Sequence, residues 1–266
     1  MFKPQKYLGQ NFLKDPDIAA KICAAAEIIK SETILEIGPG TGILTEELIK
    51  TGAQVLTVEK DYDLITKLQK LYKNTKNLKI IHQDILWFDT SQFKSYKVVA
   101  NIPYSITSPL IRKFLEAENK PEIIVLMVQK EVAERITAKP GDSARGLLTL
   151  MVEFYASSEI LFEVSRQEFY PVPKVDSAVI KIRPYHKPHF GSEGKKVKPE
   201  LFFKVVKAGF SAKRRQIHNS LAATLQMDKN QVNEILEKSS IDPALRAEDL
   251  TFEQWRELVD HLSLSV

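Results

Sequence analysis

Five residues, Thr33–Ile37 (TILEI), run directly into the cluster Gly38-Pro-Gly-Thr-Gly42. A short β-branched strand that ends in glycines constrains the fold more than any other feature of this chain. Glycine lets the backbone turn sharply and lets a ligand approach without meeting a Cβ. The strand-like character returns at Gln54–Glu59, Leu78–Ile81, Val98–Ala100 and Glu122–Val128. Between these runs lie apolar residues at helical spacing: Leu64, Leu68, Leu71 and Tyr72 in one segment, Leu110, Ile111, Phe114 and Leu115 in another. Short apolar strands alternating with amphipathic helices predict an α/β fold, a parallel sheet with helices on both faces. Two later strands, Glu159–Val164 and Ala178–Arg183, predict an antiparallel pair at one edge.

The alternation stops at residues 184–199, which hold three prolines and two glycines and no helical period. This segment reads as a linker. Helical patterns follow at Leu201–Gly209, Ile217–Leu225, Lys229–Lys238 and Phe252–Leu262, with Asp228 and Thr251 placed as N-caps. The expected organisation is a catalytic domain at 1–185 and a small all-α domain at 186–266. The 266 residues suffice for both cores. A lone cysteine, Cys23, excludes an intramolecular disulfide framework and a cysteine-based zinc site, and no metal is expected. The longest apolar run, Ile123–Val128, is six residues, against the ~20 needed to span a bilayer. No membrane association is expected.

The glycine loop differs from the usual dinucleotide fingerprint, having GxGxG with Pro39 inside it, and proline lacks the N–H that a phosphate cradle needs. Alone it fits a plain strand-to-helix turn as well as a binding loop. Glu59 ends the second strand, 17 residues after Gly42. A carboxylate there can accept hydrogen bonds from both ribose hydroxyls. Asp84 follows the third strand and Asn101 the fourth, at the carboxyl edge where open α/β sheets bind ligands. Each could be a helix cap when taken singly. As a set, strands ending in Gly, Glu, Asp and Asn suit an adenosine without phosphates, with Glu59 on the ribose and Asp84 near the adenine amine.

Asn101-Ile-Pro-Tyr104 is the sharpest motif. The N6 amine of adenine is a poor nucleophile because its lone pair is conjugated with the ring, and it must pyramidalise to attack a methyl group. Two acceptors around its N–H bonds favour that geometry; the Asn101 side-chain oxygen and the Ile102 carbonyl can supply them. Pro103 holds Ile102 extended. Tyr104 offers a face on which a base can stack. Orientation and polarisation then carry the catalysis, with no strong general base. Near the start, KYLGQNFLKD carries two lysines, with Lys3 just before it. Asn11 within it can bind an amino-acid carboxylate or cap the helix expected near Asp15–Ile29.

Together, LGQNFL at 8–13, EIGPGTG, Glu59, Asp84, NIPY, FYPVPKVDS at 169–177 and FSAKRRQIHNSL at 210–221 make the chain resemble the KsgA family of ribosomal RNA adenine N6-dimethyltransferases, over almost its whole length. The resemblance implies a Rossmann-like class I methyltransferase sheet, with S-adenosylmethionine as methyl donor and S-adenosylhomocysteine as product. It places donor contacts on Asn11, Leu13, Gly38, Glu59, Asp84 and Asn101. It implies a substrate of two adjacent adenines in the 3′-terminal hairpin of 16S rRNA, in an immature small subunit, each receiving two methyl groups. It also assigns Phe169, with Tyr104, to sandwich the flipped adenine. A cytoplasmic, monomeric enzyme is expected.

The net charge of +4 is unevenly spread. Residues 1–180 carry 23 basic and 23 acidic side chains, residues 181–218 carry 11 and 2, and residues 219–266 carry 4 and 9. The basic block predicts contact with a polyanion. Lys204, Lys207, Lys213, Arg214 and Arg215 are the candidate RNA contacts, with Lys195, Lys196 and Lys198 in the same block. Alternatively, Lys213–Arg215 pairs with Glu234, Glu237, Glu248 and Asp249 to hold the small domain together. The nearest rival is the Erm family, which methylates an adenine of large-subunit rRNA and shares the catalytic motifs. FSAKRRQIHNSL favours the KsgA family, although Gln216 and His218 stand where that family often has Lys/Thr and Arg. A non-enzymatic binding module, as in some relatives that act as transcription factors, is the other alternative.

Overall fold

The computed structural model describes residues 10–185 and 198–263. Leu8 and Gly9 of the N-terminal motif, Lys195, Lys196 and most of the expected linker lie outside the described residues.

In chain order the elements are β1 (Phe12–Leu13), α1 (Pro16–Ala25), β2 (Thr33–Ile37), α2 (Ile43–Lys50), β3 (Gln54–Glu59), α3 (Tyr62–Leu71), β4 (Leu78–His82), β5 (Lys97–Asn101), α4 (Thr107–Glu116), β6 (Ile124–Gln129), α5 (Lys130–Thr137), α6 (Leu147–Tyr155), β7 (Ala156–Val164), β8 (Phe169–Tyr170), β9 (Ser177–Pro184), α7 (Pro199–Gly209), α8 (Ile217–Leu225), α9 (Lys229–Lys238) and α10 (Phe252–Ser263). Seven strands form one sheet in the order β4-β3-β2-β5-β6-β9-β7. The first five are parallel neighbours, and β9 runs antiparallel to β6. The expected late strands are both present, as neighbours at the β7 edge.

Val98, Val99 and Ala100 of β5 and Ile124–Val128 of β6 are buried, as central parallel strands covered on both faces must be. Helix starts follow local chemistry. Asp15 caps α1 by accepting from Asp17 N, ahead of Pro16 in the first turn, and Asp61 caps α3 in the same way through Asp63 N. A separate two-stranded sheet joins β1 to β8, with Phe12 opposite Tyr170 and Leu13 opposite Phe169.

The chain divides into two compact units: Met1–Ala133 with Ser157–Pro184, and Glu134–Ala156 with Tyr185–Val266. The second unit thus includes a stretch well before the expected boundary at 185. The reason is α6 (LLTLMVEFY), whose Phe154 ring lies 4.7 Å from Phe202 and 4.9 Å from Phe203 on α7. Before it, the buried Arg145 side chain bonds both carboxylate oxygens of Glu153 at 2.8 Å and the Ala138 carbonyl at 3.0 Å. Asp228 caps α9, and Thr251 and Gln254 cap α10 reciprocally. No described helix is long and apolar enough to cross a membrane.

Gly209, near the end of α7, touches the fully buried Trp255. Glycine inside a helix ordinarily costs about 0.5–1 kcal/mol relative to alanine. Here a Cβ would overlap the Trp255 ring and lie 2.9 Å from Ile217 Cδ1, so the sign reverses. Gly209→Ala is expected to lower stability by about 1–3 kcal/mol through overpacking. Urea denaturation followed by Trp fluorescence checks it; a stabilised variant would contradict the packing described.

Candidate active site

The carboxyl ends of β2, β3, β4 and β5 open onto a cavity of about 240 Å³. It forms where strand order reverses: β2 pairs β3 on one side and β5 on the other, so the loops after β2 and β5 part and leave a crevice between them. Asn11, Leu13, Gly38, Glu59, Asp84 and Asn101, the six expected donor contacts, all line this cavity, and so do Ile102, Pro103 and Tyr104.

Gly38, Gly40 and Gly42 take φ values of +62°, +57° and +93°, in the left-handed region. At Gly40 space is restricted as well: a Cβ would stand 2.9 Å from Phe12 Cδ1. The Phe12 ring of β1 therefore closes over the glycine loop and forms part of the cavity wall. Asn11 stands in that wall; the cap of α1 is Asp15, so Asn11 does not serve as its cap.

Glu59 is 8% exposed. Its Oε1 accepts from the backbone N–H of Lys60 at 2.8 Å and of Asp61 at 2.9 Å, which fixes the carboxylate at the strand end. Burial nevertheless pushes its pKa up. Asp84 has the opposite environment. Lys60 Nζ lies 2.8 Å from Oδ2 and holds its pKa down, while Oδ1 accepts from Leu86 N and caps the single 3-10 turn Ile85–Trp87. Capping and cavity lining thus coexist in Asp84.

On the β5 side, Asn101 ends the strand, and no protein hydrogen bond holds its side-chain amide among the described residues. The Tyr104 hydroxyl shares a 2.8 Å hydrogen bond with Ser177 Oγ at the buried start of β9, which fixes the ring. Burial raises its pKa. Ser177 is the last residue of FYPVPKVDS, the pattern that could have drawn attention to it.

Phe169 does not reach this cavity. It is 1% exposed and packs in the apolar cluster with Leu13, Ile22 and Val179. Its antiparallel partner Leu13 shares its face of the β1–β8 pair.

Sequence patterns gave no role to Glu36, the penultimate residue of β2. It is fully buried in the cavity wall. Thr45 Oγ1 donates to Oε2 at 2.7 Å, and Oε1 has no protein partner. Burial outweighs the Thr45 bond and pushes the pKa up to about 8.

An open α/β sheet with a cavity at its reversal point, lined by a glycine loop, two strand-end carboxylates and a NIPY turn, fits a Rossmann-like S-adenosylmethionine-dependent methyltransferase. The residues fit that donor. The glycine cradle admits no Cβ at Gly40, Glu59 is fixed by backbone donors, and a buried carboxyl oxygen of Glu36 in the wall lacks a partner.

The comparisons with known proteins are specific. The model of the ribosomal RNA adenine dimethylase family matches residues 1–263. The chain is 44% identical over 261 residues to ribosomal RNA small subunit methyltransferase A of Dehalococcoides mccartyi, covering 96% of this chain and 87% of that protein. It is 40% identical over 263 residues to the protein of the same name from Clostridium botulinum, covering 97% and 94%. Among solved structures, a dimethyladenosine transferase from Plasmodium falciparum superposes with a TM-score of 0.79 at 30% identity, covering 93% of this chain and 95% of that one. The 23S rRNA methyltransferase ErmE superposes with 0.76 at 28%, covering 95% and 99%. The chain belongs to the ribosomal RNA adenine dimethylase family.

The elevated pKa of Glu36 has a consequence for stability. Unfolding returns the group from about 8 to near 4.5, so between these values the folded state binds more protons. The contribution of Glu36 is fully favourable below about pH 4.5 and is lost as pH rises toward 8. Glu36→Gln is therefore expected to gain stability relative to the parent between about pH 5 and about pH 8.5. Denaturant melts of both proteins at the two pH values check this; a constant difference would contradict a neutral Glu36.

Proposed function

We propose that this chain transfers methyl groups from S-adenosylmethionine to N6 of two adjacent adenines in the 3′-terminal hairpin of 16S rRNA, two to each adenine, during small-subunit biogenesis. The observation that carries the reading is one cavity lined both by Glu59 and Asp84 and by the whole Asn101–Tyr104 turn. A site for a nucleoside donor and a site for an amine acceptor thus share one wall. The relatives named small subunit methyltransferase A favour the small-subunit target over the large-subunit target of ErmE.

In this reading Glu59 binds the donor ribose and Asp84 lies by its adenine, while Asn11, Leu13 and Gly38 seat the rest of the donor. The donor supplies an electrophilic methyl group on a sulfonium. The Asn101 side-chain oxygen and the Ile102 carbonyl accept from the two N6 hydrogens of the target, drawing its lone pair out of conjugation. Tyr104, anchored by Ser177, stacks on the target base. The new bond is N6–CH3, the bond to sulfur breaks, and the N6 proton is lost as the nitrogen gains positive charge. S-adenosylhomocysteine is released, and no metal takes part.

Lys204 and Lys207 are exposed on α7, and Lys213, Arg214 and Arg215 are exposed in the turn that follows. Among the described residues no ion pair joins Lys213–Arg215 to Glu234, Glu237, Glu248 or Asp249, which leaves the polyanion role as the better supported alternative. The reading assigns rRNA contact to the 186–266 region and places a monomeric enzyme in the cytoplasm, acting on an immature small subunit.

Tritiated methyl transfer onto unmethylated small and large subunits in parallel tests the proposal. Label is expected in the small subunit, and Asn101→Ala is expected to abolish transfer while weakening donor binding only partly. Label in the large subunit would favour an Erm-type activity. Undiminished turnover by Asn101→Ala would remove the acceptor role. Replacing Lys213, Arg214 and Arg215 with Gln is expected to flatten the salt dependence of RNA binding by about one unit of log–log slope for each phosphate no longer neutralised. An unchanged slope in a salt titration would reject that assignment.

A further inference from the structure

Residues 169–177 carry a second feature that the donor and acceptor roles leave unused. Tyr170 is 57% exposed and Val172 is 51% exposed, two large apolar side chains in three residues of a loop. Single exposed apolar residues are ordinary, but neighbouring ones beside a functional cavity mark a contact surface.

Strand alternation determines which aromatic faces which way. Successive residues of a strand point to opposite faces, and residues directly opposite in an antiparallel pair share a face. Leu13 and Phe169 form one such pair and turn into the core. Phe12 and Tyr170 form the next, on the other face. Phe12 covers Gly40 and lines the catalytic cavity, so Tyr170 stands beside the cavity wall. The far end of the same loop is Ser177, which holds the Tyr104 hydroxyl. Both ends of the 170–177 loop are therefore fastened to residues that line the cavity.

The loop is braced. Arg166 donates from its backbone N to Asp176 Oδ1 at 3.0 Å and from Nη1 to the Lys174 carbonyl at 2.9 Å. Lys130 N donates to the Asp176 carbonyl at 3.0 Å, and Lys14 N to the Glu168 carbonyl at 2.9 Å. An exposed ring on such a loop is pre-ordered for stacking, so binding loses little freedom. Lys14, Arg166 and Lys174 are exposed around it; the acids of the same segment are the half-buried Glu168 and the exposed Asp176, whose Oδ1 is already engaged by Arg166 N. Cations flanking an aromatic face match a phosphate backbone carrying an unstacked base.

We infer that Tyr170 is an RNA-contact residue that stacks on an unpaired rRNA nucleotide at the cavity mouth, with Lys14, Arg166 and Lys174 on the adjoining phosphates. Phe169, opposite Leu13, packs in the core on the other face of the β1–β8 pair. This inference rests on the proposed rRNA methylation.

The test is steady-state methyl transfer by the full chain onto unmethylated small subunits. Tyr170→Ala is expected to raise KM for the subunit roughly ten-fold, the effect of removing one base–aromatic stack. kcat and S-adenosylmethionine affinity should stay within about two-fold of the parent, because no donor contact is altered. Tyr170→Phe should restore KM, since the ring and not the hydroxyl does the stacking. Phe169→Ala supplies the contrast, lowering the melting temperature as a buried core truncation does. An unchanged KM for Tyr170→Ala, or a Phe variant as impaired as the Ala variant, would overturn the inference. A parent protein that labels no ribosomal RNA would instead defeat the proposed function, so the two failures are distinguishable.

Discussion

The pairing of β2 with β3 on one side and β5 on the other is the constraint on which the rest of the structure depends. Parallel pairing brings the carboxyl ends of these strands to one edge of the sheet. The reversal of strand order between β2 and β5 then opens a crevice at that edge. The glycine loop follows one strand and the Asn101–Tyr104 turn follows the other, so a register that sets Leu35 opposite Val98 and Ile37 opposite Ala100 brings both to one cavity. Buried aliphatic packing thereby sets the positions of polar groups that form no part of the core.

Those polar groups have different electrostatic environments. Glu36 and Glu59 sit in surroundings that disfavour charge, while Asp84 is kept ionised by Lys60. The proposed function sets a cationic donor with a neutral adenosine body against a wall that combines charged and easily neutralised carboxyls. On the proposed acceptor side the working atoms are amide and carbonyl oxygens, which polarise an amine without removing its proton beforehand. Fixed dipoles of this kind need little reorganisation as charge develops.

Much of this was legible in the chain. The strands could be read because continuous apolar runs ending in Gly, Glu, Asp and Asn carry both their burial and their polarity. α8 and α9 matched their apolar spacing, since caps such as Asp228 mark boundaries locally. α6 escaped notice because LLTLMVEFY is apolar on several sides and shows no amphipathic period. Its place with the C-terminal unit depends on Phe154 meeting Phe202 and Phe203, a contact between distant residues. The facing of Phe169 was hidden for another reason: a shift of one residue in a two-residue strand exchanges core and surface. Only the register with Leu13 decides it. Glu36 was silent because its isolation is a property of the folded wall.

The central claim is that donor and acceptor meet in the cavity between β2 and β5. A structure of the chain with S-adenosylhomocysteine and the unmethylated 3′-terminal rRNA hairpin measures it most directly. The account predicts the ribose hydroxyls within hydrogen-bonding distance of the Glu59 carboxylate. It also predicts the target N6 within hydrogen-bonding distance of both Asn101 Oδ1 and the Ile102 carbonyl. A donor seated away from Glu59, or a target amine with no contact to Asn101, would contradict it.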